Sequence, residues 1–415
     1  MNLLCISYAF PPISSPGALR VYHFAKYLAR QENYKVDVLY CNNGYSSMVD
    51  RSQTWDIGNI RAMAVDDLIN KNSFVKNKLS ADKIKKNNLK KLLKVLVFPD
   101  RDITWFLNLL KANIKNKKYD YIFCSYPNIT NLIAGYYFSK KFNVDLIVDM
   151  RDLWVQDSSF LKKNMFRRFL EKCIEKRILK HAKKILTVSQ FNAEQLNNIY
   201  GEKVSVVYNG FDDDKFKDLL VEKKQQAHFC GRFRLVYAGS FYEGERKVDC
   251  LFQALNKLKL DGVINKNNFF FEIYGNKENY IADLIEQWHV NDIVEQKGLL
   301  GQKALFDEIY AAHTLLVVTR NQKISQGEMT TKFFEYIALG NPILCLSKSN
   351  FEIVKVIQGI ESASYVDLDD AKGIESFLKK TLEDYYQQGA VKRRDIDYSF
   401  SRNSMSEVFK CLLET

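Results

Sequence analysis

One carboxylate, Glu335, stands in the run TTKFFEYIALGNPILCL (Thr330–Leu346) with apolar residues on nearly every side. The run reads as a helix entered through Thr330 and Thr331, stopped at Gly340 with Pro342 just beyond, and followed by a buried strand. A charge on so apolar a helix needs a partner that offsets its desolvation. A ribose diol would serve, donating two hydroxyl hydrogen bonds; a buried Arg or Lys would serve equally, and the segment alone leaves both open. The threonine-bearing N-terminus of the same helix would offer N–H donors to a phosphate.

A second stretch, YAGSFYEGERKV, runs through a turn with Gly239 and Gly244 and delivers Arg246 and Lys247 to the start of the next helix. Two cations there oppose the helix dipole, so stability alone does not account for them. A diphosphate would resolve the conflict; a solvated basic pair is the plain alternative. In MRDLWVQD, Arg151 and Asp152 stand at a strand tip before Trp154, as a site or as a local salt bridge or cap. In FPPISSPGALRVYHFAKYLA, residues Pro11, Pro12, Pro16 and Gly17 stiffen a loop ending at a helix N-terminus, suited to an anion or simply an ordinary turn.

The elements that must position these residues alternate. Apolar runs NLLCISYA, KVDVLY, YDYIFCS, DLIVDM, KKILTVS and VSVVYN are separated by helix-length amphipathic segments, the pattern of a parallel sheet with helices on both faces. Phe211–Gly231 breaks the rhythm with charge, and FRLVYAG then opens a second alternation through FFFEIYG, IVEQKG, TLLVVT, PILCL and SASYVD. The expectation is an α/β chain of two doubly wound Rossmann-like domains facing across a cleft: 1–210, a linker 211–231, 232–398, and a helix over 399–415 returning to the first domain. Ligands of such sheets bind at the strands' carboxyl ends, where all the stretches above fall.

Composition narrows the class. At 415 residues, 47% hydrophobic and 27% charged, the chain is ordinary for a globular protein of two domains. No run reaches the ~18–20 apolar residues of a membrane span, and the start lacks a signal-peptide pattern, so a cytoplasmic protein is expected. The eight cysteines are scattered without a CxxC pair, as reduced core residues would be. Asp212–Asp214 and the DLDD at 367–370 read as solvated charge, and no metal site is expected. The net charge of +12 favours an anionic partner.

Together the segments ISYAFPP, RDLW, TVSQFNAEQL, VVYNGFDDDKF, YAGSFYEGERK and TTKFFEYIALGNPIL resemble, in order and spacing, the retaining GT-B glycosyltransferases of family 4, especially bacterial members that build lipopolysaccharide, O-antigen and capsule. The resemblance covers nearly the whole chain. It implies a GT-B fold and transfer of a sugar, with retention and without a metal or cofactor, from a nucleotide diphosphate sugar, UDP-linked, to a lipid-linked or growing glycan. It implies that Glu335 binds the donor ribose, that Arg246 or Lys247 meets the diphosphate with Lys332, and that Gly17, Ser240 and Thr331 line the donor site. Arg151, Asp152 and Glu328 are the catalytic candidates. Two departures stand out: Gly327 occupies the place of the family's first glutamate, with Glu328 beside it, and Ser240 replaces a common arginine.

Asn70–Leu96 interleaves lysines with Leu, Ile, Val and Phe, which suits an acidic inner-membrane surface, so a peripheral position on the inner face of the plasma membrane is expected. A similar run from Phe160 to Lys184 is expected to turn its apolar stripe to the sheet. No nucleic-acid motif accompanies these lysines. The competing readings are a nucleotide-sugar epimerase of the same shape and a non-catalytic basic membrane-binding protein.

Overall fold

Strands buried on both faces read as unbroken apolar runs, and this chain places them in two parallel sheets. The computed structural model describes residues 1–45, 49, 55–68, 98–112, 114–115, 117–217, 231–388 and 393–415. It divides into two units, Met1–Asn209 with Arg402–Thr415, and Gly210–Ser401.

In the first unit, β1 (Asn2–Ser7), β2 (Lys35–Cys41), β3 (Arg61–Val65), β4 (Tyr121–Tyr126), β5 (Asp145–Met150), β6 (Lys184–Thr187) and β7 (Val204–Val206) are ordered β3-β2-β1-β4-β5-β6-β7. Every pairing is parallel. The order reverses between β1 and β4, so the loops leaving those strands splay apart and open a crevice. The helix Pro16–Ala29 follows β1, Ile129–Phe142 follows β4, and Met165–His181 follows β5. The C-terminal helix Arg402–Glu414 packs on Pro16–Ala29, with the Phe409 ring 4.8 Å from Phe24 and 5.1 Å from Phe123. Hydrogen bonds Gln31–Glu407 and Tyr34–Glu414, each 2.9 Å, hold its outer edge.

In the second unit, β8 (Phe233–Ala238), β9 (Phe269–Tyr274), β10 (Val294–Gly298), β11 (Thr314–Val318), β12 (Ile343–Ser347) and β13 (Ala363–Asp367) are ordered β10-β9-β8-β11-β12-β13, again all parallel. Its core joins Phe233, Phe252, Phe271, Leu316 and Leu344. The switch point falls between β8 and β11, so the loops after those two strands are the ones free to hold a ligand.

Several expectations need correction. The edge strand β3 was not among the runs read as strands; its residues alternate between half-buried and exposed, so it lacks the apolar run that marks its neighbours. Cys173 and Cys411 are exposed rather than in a core. The run from Phe160 turns only part of its apolar residues inward: Phe160, Ile178, Leu179 and Ala182 are buried, but Leu161, Met165, Phe166 and Phe169 are exposed, and the buried face of Met165–His181 also carries Glu171 and Glu175. Asp367 and Asp369 are not free solvated charge but pair with Lys348, at 2.8 Å for Asp367. The basic stretch Asn70–Leu96, and 218–230 of the expected linker, lie outside the described residues. Among the described residues no helix is long and apolar enough to cross a membrane.

Candidate functional site

In the second unit the loop leaving β8 and the segment leaving β11 converge. After Ala238 the chain turns at Gly239, whose amide donates to the Tyr274 carbonyl at 2.7 Å. The Gly239 position has no room for a side chain, because a Cβ there would run into the Lys332 ammonium. Arg246 is buried and folds back over this turn: one Nη donates to the Ser240 carbonyl at 3.2 Å, and the other meets the Glu328 carboxylate at 2.6 Å. The Tyr237 hydroxyl donates to the same Ser240 carbonyl at 3.0 Å. Residue 240 therefore contributes its backbone oxygen to the arginine.

The helix Thr331–Leu339 begins beside this cluster, with Thr330 as its N-cap accepting from the Phe333 amide. Thr331 and Lys332 form its first turn, and the Lys332 ammonium lies 5.6 Å from the centre of the Tyr237 ring. Burial, reinforced by the Arg246 charge and only partly offset by Glu335 and Glu328, lowers the Lys332 pKa to about 8. For Arg246, burial opposes the charge but Tyr237 and Glu328 outweigh it, and its pKa stands above the usual value. Two clustered cations, one of them easily discharged, mark a place short of negative charge.

The polar accounting says the same. The Arg246 Nε and the second oxygen of Glu328 are buried without a hydrogen-bond partner among the described residues, which leaves both able to meet a polar ligand at this strand tip. Glu335 lies one turn along from Lys332, half-buried on a helix whose other residues from Phe333 to Leu339 are buried. It makes no hydrogen bond or ion pair with any described residue, so the buried-cation partner left open by the sequence is not found there.

Not every predicted residue joins the group. Lys247 is exposed, and the next helix starts only at Asp249, so the two cations stand before the helix and diverge. Glu328, expected as a catalytic carboxylate, meets Arg246 through one of its two oxygens at 2.6 Å. Sequence reasoning missed Glu278. It is buried and accepts from the amides of Phe241 and Glu243, each at 2.6 Å, thereby occupying the turn's own N–H donors. Nothing local in KENY announces this, because the turn it clamps lies 37 residues away.

In the first unit a second cluster forms at the tips of β1, β4 and β5. Arg151 donates from Nε to the Tyr126 carbonyl at 2.8 Å and to the Ser125 hydroxyl at 3.2 Å. Its outer nitrogens lie against Gly17, where a Cβ would stand 2.7 Å from Nη2. Gly17 and Arg151, read separately from the sequence, are thus neighbours, and the Ser15-capped start of Pro16–Ala29 lies beside a guanidinium. Burial and nearby Arg20 lower the Arg151 pKa, while Asp149 and Asp152 oppose the shift. Asp152 itself is exposed. Beneath them lies a pair that the sequence did not suggest. Arg20 holds Asp149 at 3.0 Å through both Nε and Nη2 and donates to the carbonyls of Val207 and Tyr208. Ser125 donates to Asp149 at 2.8 Å and so joins this pair to Arg151.

Among the described residues no group of three His, Cys, Asp or Glu side chains is placed to hold a metal ion. Of the four described histidines, His23 and His313 are buried, His181 bonds Ser139 and His289 is exposed in the turn before β10, none at these strand tips.

Comparison with known proteins bears on the fold. Residues 17–215, just under half of the chain, match the model of Glycosyltransferase Family 4. No curated protein matches the sequence. Sucrose-phosphate synthase from Thermosynechococcus elongatus superposes with a TM-score of 0.63 at 14% identity, the match covering 100% of this chain and 98% of that one. WaaG, described as a glycosyltransferase involved in lipopolysaccharide biosynthesis, gives 0.51 at 14% identity, covering 100% and 95%. UDP-GlcNAc 2-epimerase from Neisseria meningitidis gives 0.54 at 13%, covering 100% of both. The fold is therefore GT-B, two Rossmann-like domains. A transferase and an epimerase share it, so the choice of reaction must come from the site.

Proposed function

We propose that the protein is a retaining glycosyltransferase that moves a sugar from a nucleotide diphosphate sugar, UDP-linked, to a lipid-linked or growing glycan acceptor in surface-polysaccharide synthesis. The observation that carries this reading is the cluster Arg246–Glu328–Lys332 at the switch point of the second sheet, with its orphaned polar atoms and unpaired Glu335 one helical turn away. The family match over residues 17–215 supports the same reading.

On this reading Lys332, Arg246 and the first turn of Thr331–Leu339 receive the diphosphate, and Glu335 accepts hydrogen bonds from the two ribose hydroxyls. As the bond from the anomeric carbon to the diphosphate oxygen breaks, negative charge gathers on that oxygen. Preorganised cations and helix N–H groups stabilise it. The acceptor oxygen forms its bond on the same face and passes its proton to the departing diphosphate oxygen, so the chain's remaining task is to hold that hydroxyl in place. The paired Glu328 orients Arg246; when the diphosphate arrives, the arginine's unpartnered Nε is available to it. Arg151, beside Gly17, is assigned to the acceptor end, with Asp152 exposed next to it. An epimerase of this shape would be expected to bring histidines and further carboxylates to the strand tips, and the described histidines lie elsewhere.

Glu335→Gln tests the assignment. The amide accepts hydrogen bonds less strongly than the carboxylate, so calorimetry should show UDP-sugar affinity reduced ~10-fold with the melting temperature unchanged. An affinity equal to wild type removes Glu335 from the ribose.

A further inference from the structure

The first turns of the helix Met165–His181 carry their apolar residues outward, and only its last turns bury apolar residues, Ile178 and Leu179. From Phe160 to His181 the chain holds eight Lys or Arg and only two acidic residues, Glu171 and Glu175, and both acids are fully buried. Glu171 accepts from Trp154 Nε1 at 2.8 Å and pairs with Lys163 and Arg167 at 2.6 and 2.7 Å. Glu175 accepts from the Val155 amide and the Gln156 side chain, each at 3.0 Å, and from the Tyr200 hydroxyl at 2.6 Å. The two carboxylates thus bind the loop after β5 to the helix, and their negative charge is spent inside the fold.

What remains outside is apolar and positive. Leu161, Met165, Phe166 and Phe169 are 63%, 83%, 73% and 64% exposed. Met165, Phe169, Lys172 and Lys176 follow one another at steps of four, three and four residues, which places them on a single line down the helix. The line is apolar at the N-terminal end and cationic beyond it, and no carboxylate of the helix interrupts it. Four large apolar side chains held in water at one helix end form the kind of patch that soluble chains cover in use.

We propose that this face, Leu161 to Lys176, docks the protein on an anionic lipid bilayer, with Met165, Phe166 and Phe169 entering the interface and Lys172 and Lys176 lying among the headgroups. The charge decides the occupant: a face with four cations outside any ion pair among the described residues, Lys162, Arg168, Lys172 and Lys176, and no exposed acid complements an anionic surface, and apolar side chains at its tip gain from lipid as they would from no free anion. The docking face begins only a few residues beyond Arg151 and Asp152, and Glu171 and Glu175 fasten that intervening loop to it. A bilayer bound there lies next to the residues assigned to the acceptor end. The proposal rests on the function above only for the supply of a lipid-linked acceptor.

Flotation with vesicles, in the absence of donor and acceptor, tests the docking independently of the reaction. Wild-type protein should float with vesicles of equimolar phosphatidylcholine and phosphatidylglycerol at low salt, and much less with phosphatidylcholine alone. Combined Met165→Ser, Phe166→Ser and Phe169→Ser should reduce the bound fraction ~10-fold or more without lowering the melting temperature, because these side chains are exposed. Lys172→Glu with Lys176→Glu should weaken binding and flatten its salt dependence. Equal flotation on neutral vesicles, no flotation at all, or retention of binding by the serine variant would overturn the proposal. So would a wild-type dimer in solution that the serine substitutions dissociate, since the face would then be covered by a second copy. Loss of transfer to a soluble acceptor in an otherwise vesicle-binding protein would count against the proposed function, not against the docking.

Discussion

Each sheet has a buried arginine beside its switch point, Arg20 on the helix after β1 and Arg246 in the loop after β8, yet the two are treated oppositely. In the first unit Arg20 is closed off: two bonds to Asp149, carbonyls from Val207 and Tyr208, and Ser125 on the remaining carboxylate face. In the second, Arg246 has one carboxylate contact, one carbonyl and an unpartnered Nε, beside a lysine whose proton burial has loosened. A buried charge whose bonds are all made holds strand tips in place; one whose bonds are partly made is positioned for something that arrives later. The difference separates a structural ion pair from a binding cluster, although the residue types are nearly the same.

The comparison breaks most directly at Asp149. Asp149→Asn keeps the shape but leaves Arg20 buried without a counter-charge, and should cost ~3–5 kcal/mol in chemical denaturation. If the loss stays within experimental error, the pair is not what holds these strand tips.

Acid should act on the second unit through His313, which stacks on Phe233 and accepts the Arg234 amide hydrogen at 2.9 Å. Burial, with Arg234 and Arg393 nearby, lowers its pKa to about 4. The unfolded chain takes up a proton near pH 6.5 that the folded chain refuses. The stability is therefore present above pH 6.5 and lost as pH falls toward 4, by up to ~3 kcal/mol. His313→Asn, which preserves the acceptor, should flatten that slope in pH-dependent melting.

Arg246→Ala should weaken UDP-sugar binding ~10²-fold by calorimetry, a larger effect than any at exposed cations. Raising the pH through 8 discharges Lys332, so donor affinity should fall by up to ~10-fold per pH unit above that point. Lys332→Arg should abolish this dependence. Smallest of all, Lys247→Ala should change affinity by no more than ~2-fold, since its side chain faces solvent. A loss at Lys247 equal to that at Arg246 would erase the distinction between the two neighbours.

Much of the site was readable at the level of segments and little at the level of partners. Thr330 as cap and Gly340 as stop were both evident, and the stop is a left-handed residue at φ 69° closing the helix that carries Glu335. Arg246 was singled out as a cation at a helix start, a ground that fails because the helix begins at Asp249, and its partner Glu328 is 82 residues distant. Glu278 clamps a turn from the loop after the neighbouring strand β9, and Asp149 reads as an ordinary member of DLIVDM until Arg20 is set against it.

By itself the sequence determined the alternation of strands and helices, the two sheets and the loops that end at their strand tips, because apolar period and cap residues act over a few neighbours and carry their signal locally. Tertiary structure alone decided which charges are satisfied. It paired Arg20 with Asp149 and left Arg246 half-bonded; it turned Glu171 and Glu175 inward and Met165, Phe166 and Phe169 out. Periodicity states which residues share a face of a helix, but what that face meets depends on the packing of elements far apart in the chain. For a charged or aromatic side chain the energy lies in that meeting.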